Sequence, residues 1–379
     1  MTVEPASPPP WDVPVWVTTT GKALSGLLIA TGALVAWFCC YLAAYDWMRE
    51  FAYLAILLLP LVAFIAVFVH EIGHVKGAEW GRMTPVRMQL GNLDFLKQSN
   101  GWRVRWYRNK LRVSGFVVAY PHPAESLRGS AIKMIIGGPL ANLLAAIIFF
   151  GAGQVLMPSA AAYLCFAFAA MNTAMGVANL MPMRFGWASD GLQLLWWLRG
   201  MSEGHRDLAF MRLMGRTVSG TTADKLPASE VAMLAEQAMP MPLIFEWLKL
   251  KASHSRNEWQ AAEEVERSLD RHIAVADPTM LPQLAELIAI MRAEISFSKA
   301  ISSRDTSVLD IDVLDAGTRW LVPHLAPRLQ ALQAALGGDI ETCEALLLQS
   351  QVHAERSVDK ALHHSEARLR DAVIAIARQ

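Results

Sequence analysis

Phe51-Ala52-Tyr53-Leu54-Ala55-Ile56-Leu57-Leu58-Leu59-Pro60-Leu61-Val62-Ala63-Phe64-Ile65-Ala66-Val67-Phe68-Val69 runs directly into His70-Glu71-Ile72-Gly73-His74. The nineteen residues before His70 carry no charge. With the five that follow, the segment is long enough to cross a bilayer as a helix. Residues four apart lie on one helix face, so His70 and His74 present two imidazoles together, with Glu71 on the adjoining surface. Ionisable groups at the end of a membrane span are costly unless something uses them. The bland alternative is a helix end in the headgroup region, where they are cheap.

His-Glu-x-x-His on a helix is the zinc-hydrolase pattern: two ligands for one metal and a carboxylate within reach of a coordinated water. A two-His site needs a third protein ligand and leaves the fourth position to water. Asp190 is the candidate, an acidic residue just after a later span and on the same side as the two histidines. It also reads as a helix N-cap, since Gly191-Leu192-Gln193-Leu194-Leu195 opens an apolar helix. A ligand and a cap can coincide.

Around this stretch the chain reads as a polytopic membrane protein. It has 379 residues, 54% hydrophobic and only 18% charged, too apolar for an ordinary soluble protein. The net charge is zero, so charge names no partner, and nothing points to nucleic acid. Cys39, Cys40, Cys165 and Cys343 suggest neither a disulfide framework nor a CxxC site. Pro5, Pro8, Pro9, Pro10 and Pro14 make residues 1–22 a non-helical tail. Four spans are expected: Ala23 to Tyr45, Phe51 to Val75, Ile132 to Met157 and Ala160 to Met181. A further short element follows, carrying Trp196 and Trp197.

The connection between spans two and three holds Lys76, Arg82, Arg87, Lys97, Arg103, Arg105, Arg108, Lys110, Arg112 and Arg128 against Glu79, Asp94 and Glu125. The positive-inside rule puts this loop, the N-terminus and the C-terminal region in the cytoplasm. Strand character appears in it at Val86–Leu90, Trp102–Trp106 and Gly115–Tyr120, a small β-hairpin. Such a strand can pair with an unwound substrate or lie on anionic lipid.

Two more motifs complete the picture. Gly137-Gly138-Pro139-Leu140-Ala141-Asn142 opens span three, where small residues allow close helix packing. Asn142 puts an amide into an apolar helix, either gluing helices together or gripping substrate. Asn179-Leu180-Met181-Pro182 ends span four, seven residues before Asp190-Gly191.

Taken in order, HEIGH, GGPLAN and NLMP followed by DG resemble the site-2 protease family, zinc metalloproteases that cut within membranes. The resemblance covers Phe51 to Arg199. It implies one zinc ion per chain on His70, His74 and Asp190, Glu71 as general base, and Asn142 and Asn179 lining the substrate site. The interval from Pro182 to Asp190 is longer than in the commonest form of the family's pattern, and no inserted PDZ domain is visible. The implied partners are a transmembrane protein substrate and the bilayer; the lack of organelle-targeting signals and the compact size favour a bacterial plasma membrane. A catalytically silent scaffold for substrate helices and a metal transporter are the alternatives. A transporter would line several spans with ligands, and the intact Glu71 argues against a scaffold.

From residue 201 the composition turns amphipathic. Helices are expected at Arg256–His272, Met280–Ile301, Arg328–Leu336, Ile340–Gln351 and Val358–Ala377. Gly337-Gly338-Asp339 is a stop followed by a cap. This α-helical domain, 201–379, suggests a tetratricopeptide-like array that recruits a regulatory protein or only stabilises a dimer. His353, His363 and His364 with Glu355 and Glu366 read as a solvated helix face rather than a metal cluster.

Overall fold

Pro14 occupies the N-cap position of the first helix, α1 (Val15–Met48). The computed structural model describes residues 13–107, 115–185 and 187–379. Helix therefore begins inside the stretch expected to be a non-helical tail. Once past the last proline, nothing in Val15–Lys22 breaks a helix, and the Thr18 and Thr19 hydroxyls donate to Val15 O within its first turn. Pro5 to Pro10 lie outside the described residues.

A 3-10 segment, Arg49–Leu58, leads into α2 (Leu59–Trp80). Pro60 stands in the first turn of α2, where a missing N–H costs nothing. The chain then forms β1 (Met83–Leu90), β2 (Leu93–Gln98), β3 (Gly101–Trp106) and β4 (Gly115–Pro121), followed by α3 (Leu127–Leu156), α4 (Ala160–Asn179), a two-residue pair β5 (Arg184–Phe185) and β6 (Trp187–Ala188), and α5 (Asp190–Leu198). The expected hairpin is a four-stranded antiparallel sheet, ordered β3-β2-β1-β4. The missed strand, β2, carries Asp94, a residue type that reads against a strand. Its carboxylate is fully buried, accepting from Arg87 Nε at 2.8 Å and Arg105 Nε at 3.0 Å. Arg108, Lys110 and Arg112 lie outside the described residues.

Four helices are long and apolar enough to cross a membrane: Val15–Tyr45, Arg49–Trp80, Leu127–Leu156 and Ala160–Asn179. Their outward side chains include Leu57, Ile147 and Val155, exposed at 72%, 68% and 84%. Apolar surface on that scale asks for a lipid solvent. Between the helices the residues are small: Ala36, Cys40, Ala66 and Ala167 are completely buried. At the crossing of α2 and α3 the backbones are in direct contact. Gly73, Gly77 and Gly81, spaced by four, lie on the backbones of Gly137, Lys133 and Ser130, and a Cβ at any of them would collide. This is the small-residue contact by which membrane helices approach, and it brings the histidines of α2 against α3.

The described chain divides into two compact units. One runs through Asp94 and from Arg105 to Glu203; the other comprises 95–104 and 204–379. The second holds α6 (Ala209–Val218), α7 (Ala228–Ala235), α8 (Met241–Ser255), α9 (Ala262–Val275), α10 (Leu281–Ser303), α11 (Ala316–Leu321), α12 (Leu325–Leu336), α13 (Ile340–Glu355) and α14 (Lys360–Ala377). Residues 95–104 belong to it through an amide of Ser99 donating to Arg356 O at 2.8 Å and the Arg103 guanidinium over the Trp320 ring at 4.2 Å.

Phe297, Leu325, Leu329, Leu332 and Val373 form one core of that unit, and Leu243, Leu250, Leu269 and Met291 another. The stop at residues 337–339 is as read: Gly338 takes a φ of 79°, and Asp339 caps α13 through the Thr342 amide. The helix expected over Arg256–His272 begins later, because Asn257 has a φ of 59° and Trp259–Ala261 form a 3-10 turn.

The face expected to be solvated is not wholly so. Glu366 is 1% exposed and accepts from Arg328, while His363 Nε2 meets Ser357 O at 2.9 Å. The charge pattern hid a buried ion pair, because a carboxylate reads as surface until its partner is seen.

Candidate metal site

The helical spacing does what it promised. His70 and His74, four apart on α2, are both buried, and their Nε2 atoms stand 3.1 Å apart. Asp190 closes the triangle. Its Oδ2 is 3.1 Å from His70 Nε2 and its Oδ1 is 3.4 Å from His74 Nε2. Ligand atoms on a tetrahedral ion with bonds of 2.0–2.1 Å lie roughly 3.3 Å from one another. These three residues can therefore hold a metal ion, and their ligand atoms all fall within 4.8 Å.

The partners on the far side of each ring settle what the near side offers. His74 Nδ1 is 2.8 Å from Met134 O, a carbonyl that only accepts. His70 Nδ1 is 2.6 Å from Asn142 Oδ1. Each ring then carries its proton on Nδ1 and aims a lone pair from Nε2, the tautomer a metal ligand needs. Asp190 Oδ2 is buried with no hydrogen-bond donor. Three electron-pair donors thus converge in a buried place with no proton among them, which calls for a cation.

Local structure explains how Asp190 reaches α2. The N-cap of α5 is Ser189, whose Oγ accepts from Leu192 N at 3.2 Å and from Met183 N at 3.0 Å and donates to Met181 O at 2.7 Å. Asp190 is the first helical residue, not the cap, so its side chain is free to ligate. Between Pro182 and Asp190 the chain forms the small β5–β6 pair. Gly191 lies on the Leu180 carbonyl, where a Cβ would collide with backbone. We therefore expect Gly191→Ala to push α5 away from α4 and weaken metal affinity at least about tenfold, the scale of a displaced ligand support. Zinc titration of the purified protein checks this; unchanged affinity would mean that α5 is not held by that contact.

Glu71 is buried beside the ligands, one residue from His70, and its Oε2 has no hydrogen-bond partner. Gly115, at the start of β4, packs directly on the carboxylate. Gly138 of α3 faces His74 Nε2 and His70 Cε1 so closely that a Cβ would strike both. The ring nitrogens are thus left uncrowded by side chain on that flank.

The two asparagines implied to line a substrate site are placed differently from each other. Asn142 is fully buried behind His70, and its amide donates to Ala66 O at 2.9 Å and Asn172 Oδ1 at 2.8 Å. Asn179 is half-buried in the last turn of α4. Among the described residues no hydrogen bond ties it to the ligand group. Asn172 stands in no sequence motif, yet like Asn142 it is an amide in an apolar span that needs a partner.

No family model matches this chain, and no curated protein or solved structure shows a significant match to it.

Proposed function

We propose that this protein is an intramembrane zinc metalloprotease that hydrolyses peptide bonds in or near transmembrane segments of membrane-protein substrates. The observation that carries this reading is the set of two histidines and an aspartate with tetrahedral spacing beside a buried glutamate, on helices apolar enough to span a membrane. Two imidazoles and one carboxylate suit zinc, and three protein ligands leave a position open to water, as catalytic rather than structural sites do. The order of the three sequence motifs, which resembles that of the site-2 proteases, supports the same reading.

Zinc held there would supply a Lewis acid and bring the pKa of a coordinated water to about 7. The chain's own groups do the rest. His70, His74 and Asp190 hold the ion, their rings fixed by Asn142 Oδ1 and Met134 O. Glu71 accepts the proton of the attacking water and delivers it to the leaving amine nitrogen, a general base turned general acid. The substrate helix must unwind for this, since its peptide bonds are otherwise hydrogen-bonded within the membrane. The sheet edge at β4, which starts on the Glu71 carboxylate, suits an extended strand.

The excess of Lys and Arg between the second and third spans supports a cytoplasmic location for that connection. The ligands, in the last three turns of α2 and at the start of α5, would then work near the cytoplasmic face. The test is cleavage of a library of transmembrane peptides by the purified, zinc-loaded protein in micelles, read by mass spectrometry. We expect cuts that zinc chelation abolishes and zinc restores. A fully zinc-loaded protein that cuts nothing in the library, while retaining peptides on a pull-down, would favour the scaffold instead.

A further inference from the structure

His70 is oriented by more than its immediate neighbour. Asn142 Oδ1 can accept from His70 only while its amide nitrogen points the other way, and that nitrogen has two acceptors to face. One is Ala66 O on α2; the other is Asn172 Oδ1 on α4. Asn172 is itself fixed, because its Nδ2 donates to Phe168 O at 2.9 Å. A backbone carbonyl only accepts, so each link downstream has one assignment: Asn172 presents oxygen to Asn142, Asn142 presents oxygen to His70, and His70 keeps its proton on Nδ1. Both asparagines are 0% exposed, so no water competes for the links. The chain of amides crosses three helices and ends at a metal ligand.

We propose that Asn172 is a positioning residue of the metal site: acting through Asn142, it fixes the ring tautomer of His70 and hence the aim of its Nε2 lone pair. The proposal deepens the metal-site reading given above. Without the Asn172 acceptor, a single carbonyl, Ala66 O, opposes rotation of the Asn142 amide. The rotated amide would offer N–H to His70 Nδ1, drive the ring proton to Nε2 and take that nitrogen away from the ion. Asn172 touches neither substrate nor metal, so its effect reaches the site only through this relay.

The experiment uses the full chain in detergent micelles, as wild type, Asn172→Leu and Asn172→Asp. Two readouts are taken: zinc affinity by competition with a chromophoric chelator, and the nitrogen spectrum of ¹⁵N-histidine-labelled, metal-free protein, with His70 assigned by difference against His70→Gln. Wild type is expected to show His70 protonated on Nδ1. Asn172→Leu is expected to bind zinc about tenfold more weakly, the lower end for outer partners of a ligand, with His70 divided between tautomers. Asn172→Asp, protonated in its buried place, keeps an acceptor for Asn142 and a donor for Phe168 O and is expected to recover both.

A merely structural role would lower thermal stability in both variants and leave the His70 signals unchanged. Wild-type zinc affinity and an unaltered His70 spectrum in Asn172→Leu would overturn the proposal. Should that variant not fold, Asn172→Ala removes the same acceptor and is held to the same result. If the wild type takes up no zinc, the metal reading fails separately, and the relay still stands or falls on the metal-free spectrum: His70 lacking its Nδ1 proton in wild type refutes it.

Discussion

Glu71→Gln is expected to keep its metal and to lose cleavage by about 10²–10⁴-fold, the usual contribution of a positioned general acid–base. Glu71 is not among the three residues whose atoms converge, so zinc content should stay at the wild-type level. Glutamine has nearly the same shape and can take the same place against the Gly115 backbone. What the substitution removes is the ability to take and return a proton. The comparison is therefore clean: metal analysis and peptide cleavage on the same preparation. Wild-type cleavage by a zinc-loaded Glu71→Gln protein would contradict the mechanism at its base step.

The largest expected effect on stability lies in the C-terminal unit. Arg328 is 0% exposed and makes ion pairs with Glu294 and Glu366, 2% and 1% exposed. Lys251 adds a bond to Glu294 at 3.1 Å. Arg328→Met would leave Glu294 to Lys251 and Glu366 beside only the His324 ring, whose Nε2 is 3.7 Å away. Removing one partner of a buried ion pair costs about 3–5 kcal/mol. In a unit of this size that lowers the melting temperature by roughly 6–20 °C, read by calorimetry of the full chain. A shift under a degree would mean the carboxylates find other partners or water.

The same cluster sets a pH dependence. Burial pushes His324 down to about 4 and His254 down to about 3. Both are neutral when folded, so the unfolded chain binds protons more readily as pH falls below the ordinary histidine value of about 6.5. Glu294 adds to this in the same direction. Burial alone would raise its pKa, but Arg328 and Lys251 outweigh it and hold it well below the usual carboxylate range. Its contribution is present above the unfolded carboxyl value and lost as pH falls beneath it. The unit should be at full stability above neutrality and weaken steadily on acidification.

Much of this was legible in the sequence, for physical reasons that differ by element. The spans are readable because twenty apolar residues have one economical fate, and HEIGH because helical periodicity converts a spacing of four into a shared face. Asp190 was legible as a ligand only by type and side. Its distance from the histidines depends on Gly191 meeting Leu180 and on Ser189 knotting the preceding turn, contacts between segments that no local pattern encodes. Asn142 was recognised as a buried amide in want of a partner, but which partner depends on the crossing of three helices. Strand β2 was missed because Asp94 breaks its pattern, and Asp94 is tolerated there because two arginines neutralise it. The buried Glu366 was missed for the same reason.

Zinc content is the measurement that tests the central claim most directly, taken on purified wild type beside His74→Ala and Asp190→Ala. The geometry predicts one zinc per chain in the wild type and loss from both variants, because each removes one corner of a three-residue site. Zinc lost with His74→Ala but retained with Asp190→Ala would place the third ligand elsewhere. Zinc absent from the wild type, even after it is added back, would contradict the account.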